Sequence, residues 1–146
     1  MTVFADSSAL VKLYADEVGA AQVRAIELFA VSALARVEVP AALWRKVRTG
    51  ALAPAHAEQL VAAFEGDWYA DPVTDRRLYA VPAAGEVLAA AARAAGVHGL
   101  RAYDAVQLAS AAALREAGVV VDAVACFDHD LRAAAAAEGF ALLPVV

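Results

Sequence analysis

Four acids in this chain of 146 residues, Asp6, Glu38, Asp104 and Asp128, have the type and placement to do chemistry together. Asp6 ends the apolar run of MTVFADSSAL, Glu38 lies in SALARVEVPAAL, Asp104 in LRAYDAVQLA and Asp128 directly after the CF of ACFDHDL. Taken singly, each has a plain reading. An Asp at a helix start accepts a bond from the first free backbone N–H groups, and a Glu on a helix is most often solvated. Taken together they are harder to dismiss, because Glu38 stands between Val37 and Val39, and Asp104 sits beside Ala105 and Val106. Acids beside apolar residues at strand-end junctions call for a cation. Carboxylates held close repel, and without compensation one takes up a proton. Mg²⁺ or Mn²⁺ relieves this, since hard divalent ions prefer oxygen ligands. The chemistry such a site supports is phosphoryl transfer through a metal-activated water.

The elements that must position these acids follow from short apolar runs and helical periodicity. Val3 to Ala5 reads as a buried strand, Ala30 to Ser32 as a second, Leu78 to Val81 as a third, Ala123 to Phe127 as a fourth and Phe140 to Leu143 as a last one. Between them, Ser7 begins a helix carrying Leu10, Val11, Leu13 and Tyr14 before Gly19, and a second helical segment holds Val23 and Ile26. Val39, Leu43 and Val47 mark a helix that either starts near Pro40 or kinks there, because an interior proline removes a backbone bond. Pro54 suits a first turn, and Ala57, Leu60, Val61, Phe64 and Trp68 follow one apolar face. Glu86 to Ala95 is expected to be a helix ended by Gly96. Tyr103 to Ala117 is stopped by Gly118, and Asp128 to Glu138 by Gly139. Strands alternating with helices imply an α/β fold with a parallel sheet covered on both faces. Ligands in such folds bind outside the carboxyl ends of the strands, where Asp6 and Asp128 fall.

Composition narrows the class. The chain is 62% hydrophobic and rich in alanine, as expected of close-packed helices in a single domain spanning residues 1–146. The lone Cys126 cannot form an internal disulfide, no export signal precedes the first strand, and no apolar stretch is long enough to span a bilayer. A cytoplasmic protein is expected. The net charge of −5 argues against wholesale nucleic-acid binding, yet Arg36, Arg45, Lys46 and Arg48 bunch in one segment, Arg76 and Arg77 in another, and Arg101 precedes Asp104.

FADSSALVKLY, SALARVEVPAAL, LRAYDAVQLASA and CFDHDLRAAAAAEGF together resemble the PIN domain, most closely the VapC-type toxins of bacterial toxin–antitoxin pairs. The resemblance runs from residue 2 to about 143. It implies a PIN-like three-layer sandwich, a short parallel sheet of four to five strands with helices on both faces. It further implies an Mg²⁺- or Mn²⁺-dependent endoribonuclease that cuts a structured cellular RNA such as tRNA or rRNA. Asp6, Glu38, Asp104 and Asp128 would be its catalytic metal-binding cluster, with Ser8 as a supporting hydroxyl. A homodimer and a VapB-type antitoxin that blocks the site are implied as well. Two features depart from the family pattern. Cys126 stands where Thr or Ser is common, removing a hydroxyl that helps hold the metal shell. Asp130 lies two residues past Asp128 and could assist, although the spacing to Leu131 favours Asp128. TDRRL around Asp75 imitates the final motif but precedes a strand where the family has no acid, so Asp75 is read as a solvated loop or cap.

Arg36, Lys46 and Arg101 are candidates for steering RNA, with a plain surface charge as the competing reading of Arg101. Phe64, Trp68 and Trp44 read as core rather than a partner site. His56, His98 and His129 show no ligand spacing with one another or with Cys126, which argues against zinc. An aspartyl phosphatase would need a second Asp where Ser8 stands, a receiver domain would need a late lysine where none follows Lys46, and a dinucleotide site would need a glycine-rich first turn. A catalytically silent module that uses its acids to hold an ion or a partner's arginine is the remaining alternative.

Overall fold

The computed structural model describes residues 1–71, 73 and 77–145, so Asp75 and Arg76 lie outside the described residues. Strands β1 (Val3–Ala5), β2 (Phe29–Ser32), β3 (Leu78–Val81), β4 (Ala123–Ala125) and β5 (Leu142–Leu143) form one sheet in the order β3-β2-β1-β4-β5. Every neighbouring pair is parallel. The connections carry helices α1 (Ser7–Leu10), α2 (Ala20–Arg24), α3 (Ala35–Arg48), α4 (Pro54–Trp68), α5 (Gly85–His98), α6 (Ala102–Glu116) and α7 (His129–Ala137).

Successive strand residues point to opposite faces, and both faces are apolar. Val3 and Ala5 join Phe29, Val31 and Ala125 in a core with Leu10, Val39, Leu43 and Phe64 from α1, α3 and α4. Phe4 joins Ala30 and Val124 in the opposite core, with Ala91, Leu108, Ala109 and Leu131 from α5, α6 and α7. The alanines let α5 and α6 pack closely on this side. The result is the expected three-layer sandwich. After β1 the chain turns to the first face, with Ala9 and Leu10 of α1 buried there; after the adjacent β4 it turns to the other, with Leu131 and Ala134 of α7 buried there. Two neighbouring strands whose continuations diverge open a crevice at their carboxyl ends.

Several local expectations are corrected. α3 starts at Ala35 and runs through Pro40 to Arg48, because packing of Ala35, Val39 and Leu43 outweighs the one backbone bond lost. α5 passes Gly96 and stops at Gly99, which is the residue with left-handed backbone (φ 65°). β4 ends at Ala125 and β5 begins only at Leu142, although Cys126 still donates its N–H to the Leu143 carbonyl. The first helix tightens after Leu10 into a 3₁₀ turn over Val11–Leu13.

Gly19 is required by both backbone and space. It has φ 90°, and an added Cβ would lie 2.5 Å from Phe127 Cε1. Gly19→Ala is therefore expected to destabilise the protein by roughly 2–4 kcal/mol, through left-handed strain and overpacking. The check is urea unfolding with a lower midpoint and unchanged slope.

Candidate active site

β1 hands Asp6 directly to α1, where its carboxylate caps the helix by accepting from Ala9 N at 3.0 Å. Capping is only part of its environment. Ser8 Oγ lies 2.7 and 2.8 Å from the two Asp6 carboxylate oxygens and accepts from Phe127 N at 3.0 Å, tying the ends of β1 and β4 together. Cys126 Sγ donates to Asp6 Oδ2 at 3.3 Å, so the thiol of Cys126 lies directly against this carboxylate. Asp6 is only 4% exposed. Burial pushes its pKa from 3.8 up to about 6 against the bonds from Ser8, Ala9 and Cys126, with Asp104 adding repulsion. Burial and the Asp6 carboxylate push the Cys126 thiol up, away from thiolate character.

Asp128 caps α7 through Oδ2, which accepts from Leu131 N at 2.9 Å. Asp104, in the first turn of α6, is raised by burial and by the nearby Asp128 charge, against the opposing charge of Arg101. Glu38 is raised mainly by burial, with Asp104 adding repulsion. Its neighbour Val39 is buried but Val37 is 70% exposed, so the flanking valines are only half a sign of burial.

All four acids line one cleft of about 610 Å³ together with Ser7, Ser8, Gln107 and Phe127, a size within the range of ligand sites. The acids come from the end of β1, from α3, from α6 and from the start of α7. Glu38 Oε1 accepts from Ser7 Oγ at 3.0 Å and from Gln107 Nε2 at 2.8 Å. Sequence reasoning left Gln107 unmarked, although its position three residues after Asp104 places it on the same face of α6.

The cationic residues divide. Lys12, Arg45, Lys46 and Arg101 line the cleft. Glu17 sits between Lys12, at 2.8 Å, and Lys46. Burial raises the Glu17 pKa, but those two lysines outweigh it and leave the carboxyl below its usual value. Lys12 also lies 4.3 Å from the Phe127 ring centre. Arg36 is turned toward α4, where it pairs with Glu65 at 2.9 Å and contacts Tyr69, and it is absent from the cleft lining. Arg101 reaches across the rim to Asp104 Oδ2 at 3.2 Å and Asp128 Oδ1 at 3.6 Å with an 81% exposed side chain. An ion pair that exposed adds little stability.

Asp130 is exposed on the first turn of α7 and adds to the repulsion at Asp104. His56 and His129 are exposed, and His98 bonds Glu138 at 2.8 Å. Phe64 is fully buried, while Trp44 and Trp68 are half-buried.

The donor set fits a hard divalent ion in kind: the buried Asp6 and the half-buried Glu38 and Asp104 are each raised by their surroundings, and Glu38 Oε2 and Asp104 Oδ1 accept no hydrogen bond from the described residues. It is not drawn tight, since among the described residues no three His, Cys, Asp or Glu side chains converge closely enough to hold a metal.

The parallel sheet order, the layers and the crevice define a PIN-type α/β fold. The chain is similar to the crystal structure of Mycobacterium tuberculosis VapC20, a sarcin-ricin loop cleaving toxin, with a TM-score of 0.60 and 19% identity over 94% of this chain and 95% of that one. No protein-family model matches the chain, and no curated protein matches it.

Proposed function

We propose that this chain is an Mg²⁺- or Mn²⁺-dependent endoribonuclease toxin of the VapC type. The observation that carries the reading is the convergence of Asp6, Glu38, Asp104 and Asp128, from four separate segments, on one cleft at the carboxyl edge of the sheet. Asp6, Asp104 and Asp128 would hold the ion, and Glu38 would bind it or orient the attacking water. Bound there, the ion supplies Lewis-acid stabilisation and a water of lowered pKa. Ser8 fixes Asp6 against β4, and Ser7 and Gln107 fix one oxygen of Glu38.

RNA as substrate is supported by the cationic wall beside the acids. Lys12, Arg45, Lys46 and Arg101 line the cleft, with Glu17 between the two lysines, and the net positive charge left at Arg45 and Arg101 suits a phosphate backbone crossing the cleft. With a net charge of −5, affinity would rest on a few such contacts and on the shape of a structured RNA. The cleavage by VapC20 of the sarcin-ricin loop makes rRNA the first substrate to try, with tRNA second. A VapB-type antitoxin, a homodimer and a cytoplasmic location belong to the same reading. No helix among the described residues is long and apolar enough to cross a membrane.

One observation favours a second reading: Arg101 already lies between Asp104 and Asp128, as it would in a silent module whose acids bind guanidinium. The test is incubation of total RNA with purified, partner-free protein in Mg²⁺, in Mn²⁺ and in chelator. Discrete metal-dependent fragments are expected. Folded protein that cuts nothing under any condition would favour the silent module.

A further inference from the structure

Gln107 is 2% exposed and lies between the buried Val106 and Leu108 on α6. Its Nε2 donates to Glu38 Oε1 at 2.8 Å and to Ser7 Oγ at 3.1 Å, and Ser7 Oγ in turn donates to the same Glu38 oxygen at 3.0 Å. A carboxylate only accepts, so the amide nitrogen is the atom that must face Glu38. The other end of the amide pays a penalty: Gln107 Oε1 is buried without a hydrogen-bond partner among the described residues. An orphaned buried carbonyl costs stability, and a Leu or Met here would fill similar space without that cost. Packing therefore does not account for a glutamine at this position, whereas the bond to Glu38 does. Both donors converge on Oε1, and Oε2 accepts nothing from the described residues.

We propose that Gln107 is a positioning residue which, with Ser7, pins one oxygen of Glu38 and so presents the other to the ion or water in the cleft. This rests on the metal-dependent reading above. A packing role and a positioning role predict opposite signs. If Gln107 serves the fold, replacing it lowers stability; if it serves Glu38, an apolar replacement keeps or raises stability while the site suffers.

The experiment compares wild type with Gln107→Met and Gln107→Leu. It reads the thermal midpoint without metal, Mn²⁺ affinity by calorimetric titration, and kcat and KM on the RNA cut by wild type. The expected result is a midpoint equal to or above wild type, Mn²⁺ binding weakened about 10-fold or more, kcat reduced by a similar factor and KM unchanged. Ser7→Ala, at the half-buried start of α1, removes the second donor and keeps the test open should the helix-interior variants fail to fold. It is expected to weaken Mn²⁺ binding in the same direction, again without moving KM. Wild-type Mn²⁺ affinity and kcat in the folded variants would overturn the proposal, as would a lowered midpoint with Mn²⁺ affinity intact. Wild-type protein that binds no Mn²⁺ would instead overturn the metal-dependent reading, and this proposal with it.

Discussion

Asp6→Asn is expected to abolish metal-dependent RNA cleavage, by a factor on the order of the 10²–10³ that loss of one electrostatic contact to a reacting centre causes, while the protein stays folded. The same variant should change stability with a sign that identifies the cause. Burial holds the Asp6 pKa at about 6 against an ordinary 3.8. Between those values the folded metal-free protein binds more protons than the unfolded chain, so its stability falls as pH rises through that window. The loss is complete above about pH 6 and is on the order of 3 kcal/mol. Glu38 and Asp104, also raised, act in the same direction. The uncharged amide introduced by Asp6→Asn removes the largest of these contributions. The metal-free variant should therefore melt no lower than wild type at pH 7, with a flatter pH profile. Adding Mg²⁺ should raise the wild-type midpoint and leave that of the variant nearly unmoved. Thermal melts from pH 4 to 7, with and without Mg²⁺, check every part. A variant that cuts RNA at the wild-type rate would remove Asp6 from the site. Glu38→Gln and Asp104→Asn are expected to lose cleavage in the same way.

Phe64→Ala should produce the largest loss of stability. Phe64 is fully buried in the core beneath the first face of the sheet. Its ring meets Tyr14 edge-on with centres 5.6 Å apart and Trp68 at 5.7 Å. Deleting it removes the transfer free energy of the ring and leaves a cavity that α4 cannot collapse into without losing Trp68. The expected cost is about 3–5 kcal/mol, which for a domain of this size lowers the melting midpoint by roughly 10 °C or more. Circular dichroism melts at fixed pH measure it directly. A shift of only a few degrees would mean that Tyr14 and Trp68 close over the gap.

These two predictions draw on features that were legible to different degrees. α4 was readable as a helix, because Pro54 marks its first turn and the apolar face from Ala57 to Trp68 repeats with helical spacing. β3 was equally clear. The chain alone pointed to Gly96 as the end of α5, and that was wrong, since any glycine along the pattern can end a helix. The choice falls to Gly99, whose left-handed backbone delivers Leu100 into the core. Arg36 and Arg45 illustrate a signal present but unused: Arg45 follows Glu38 by two helical turns and shares its face, whereas Arg36 precedes it by two residues and cannot. The structure accordingly puts Arg45 in the cleft and Arg36 against Glu65.

By itself the sequence determined the order of strands and helices, the apolar strands of a sheet covered on both faces, and the four acids, Asp6 and Asp128 just past strand ends and Glu38 and Asp104 in the first turns of helices. These depend on periodicity and capping, which act over a few residues and are written locally. Tertiary structure alone decided which atoms of those acids are held and which are free. Gln107 reaches Ser7 across 100 residues of chain and Glu38 across 69, Cys126 reaches Asp6 across 120, and Arg101 settles between Asp104 and Asp128 only because α6 and α7 meet there. The Cys126–Asp6 contact follows from the pairing of β4 with β1, which sets Ala125 opposite Ala5; the others exist because packing of the two cores sets the distance between helices. No pattern along the chain specifies that distance.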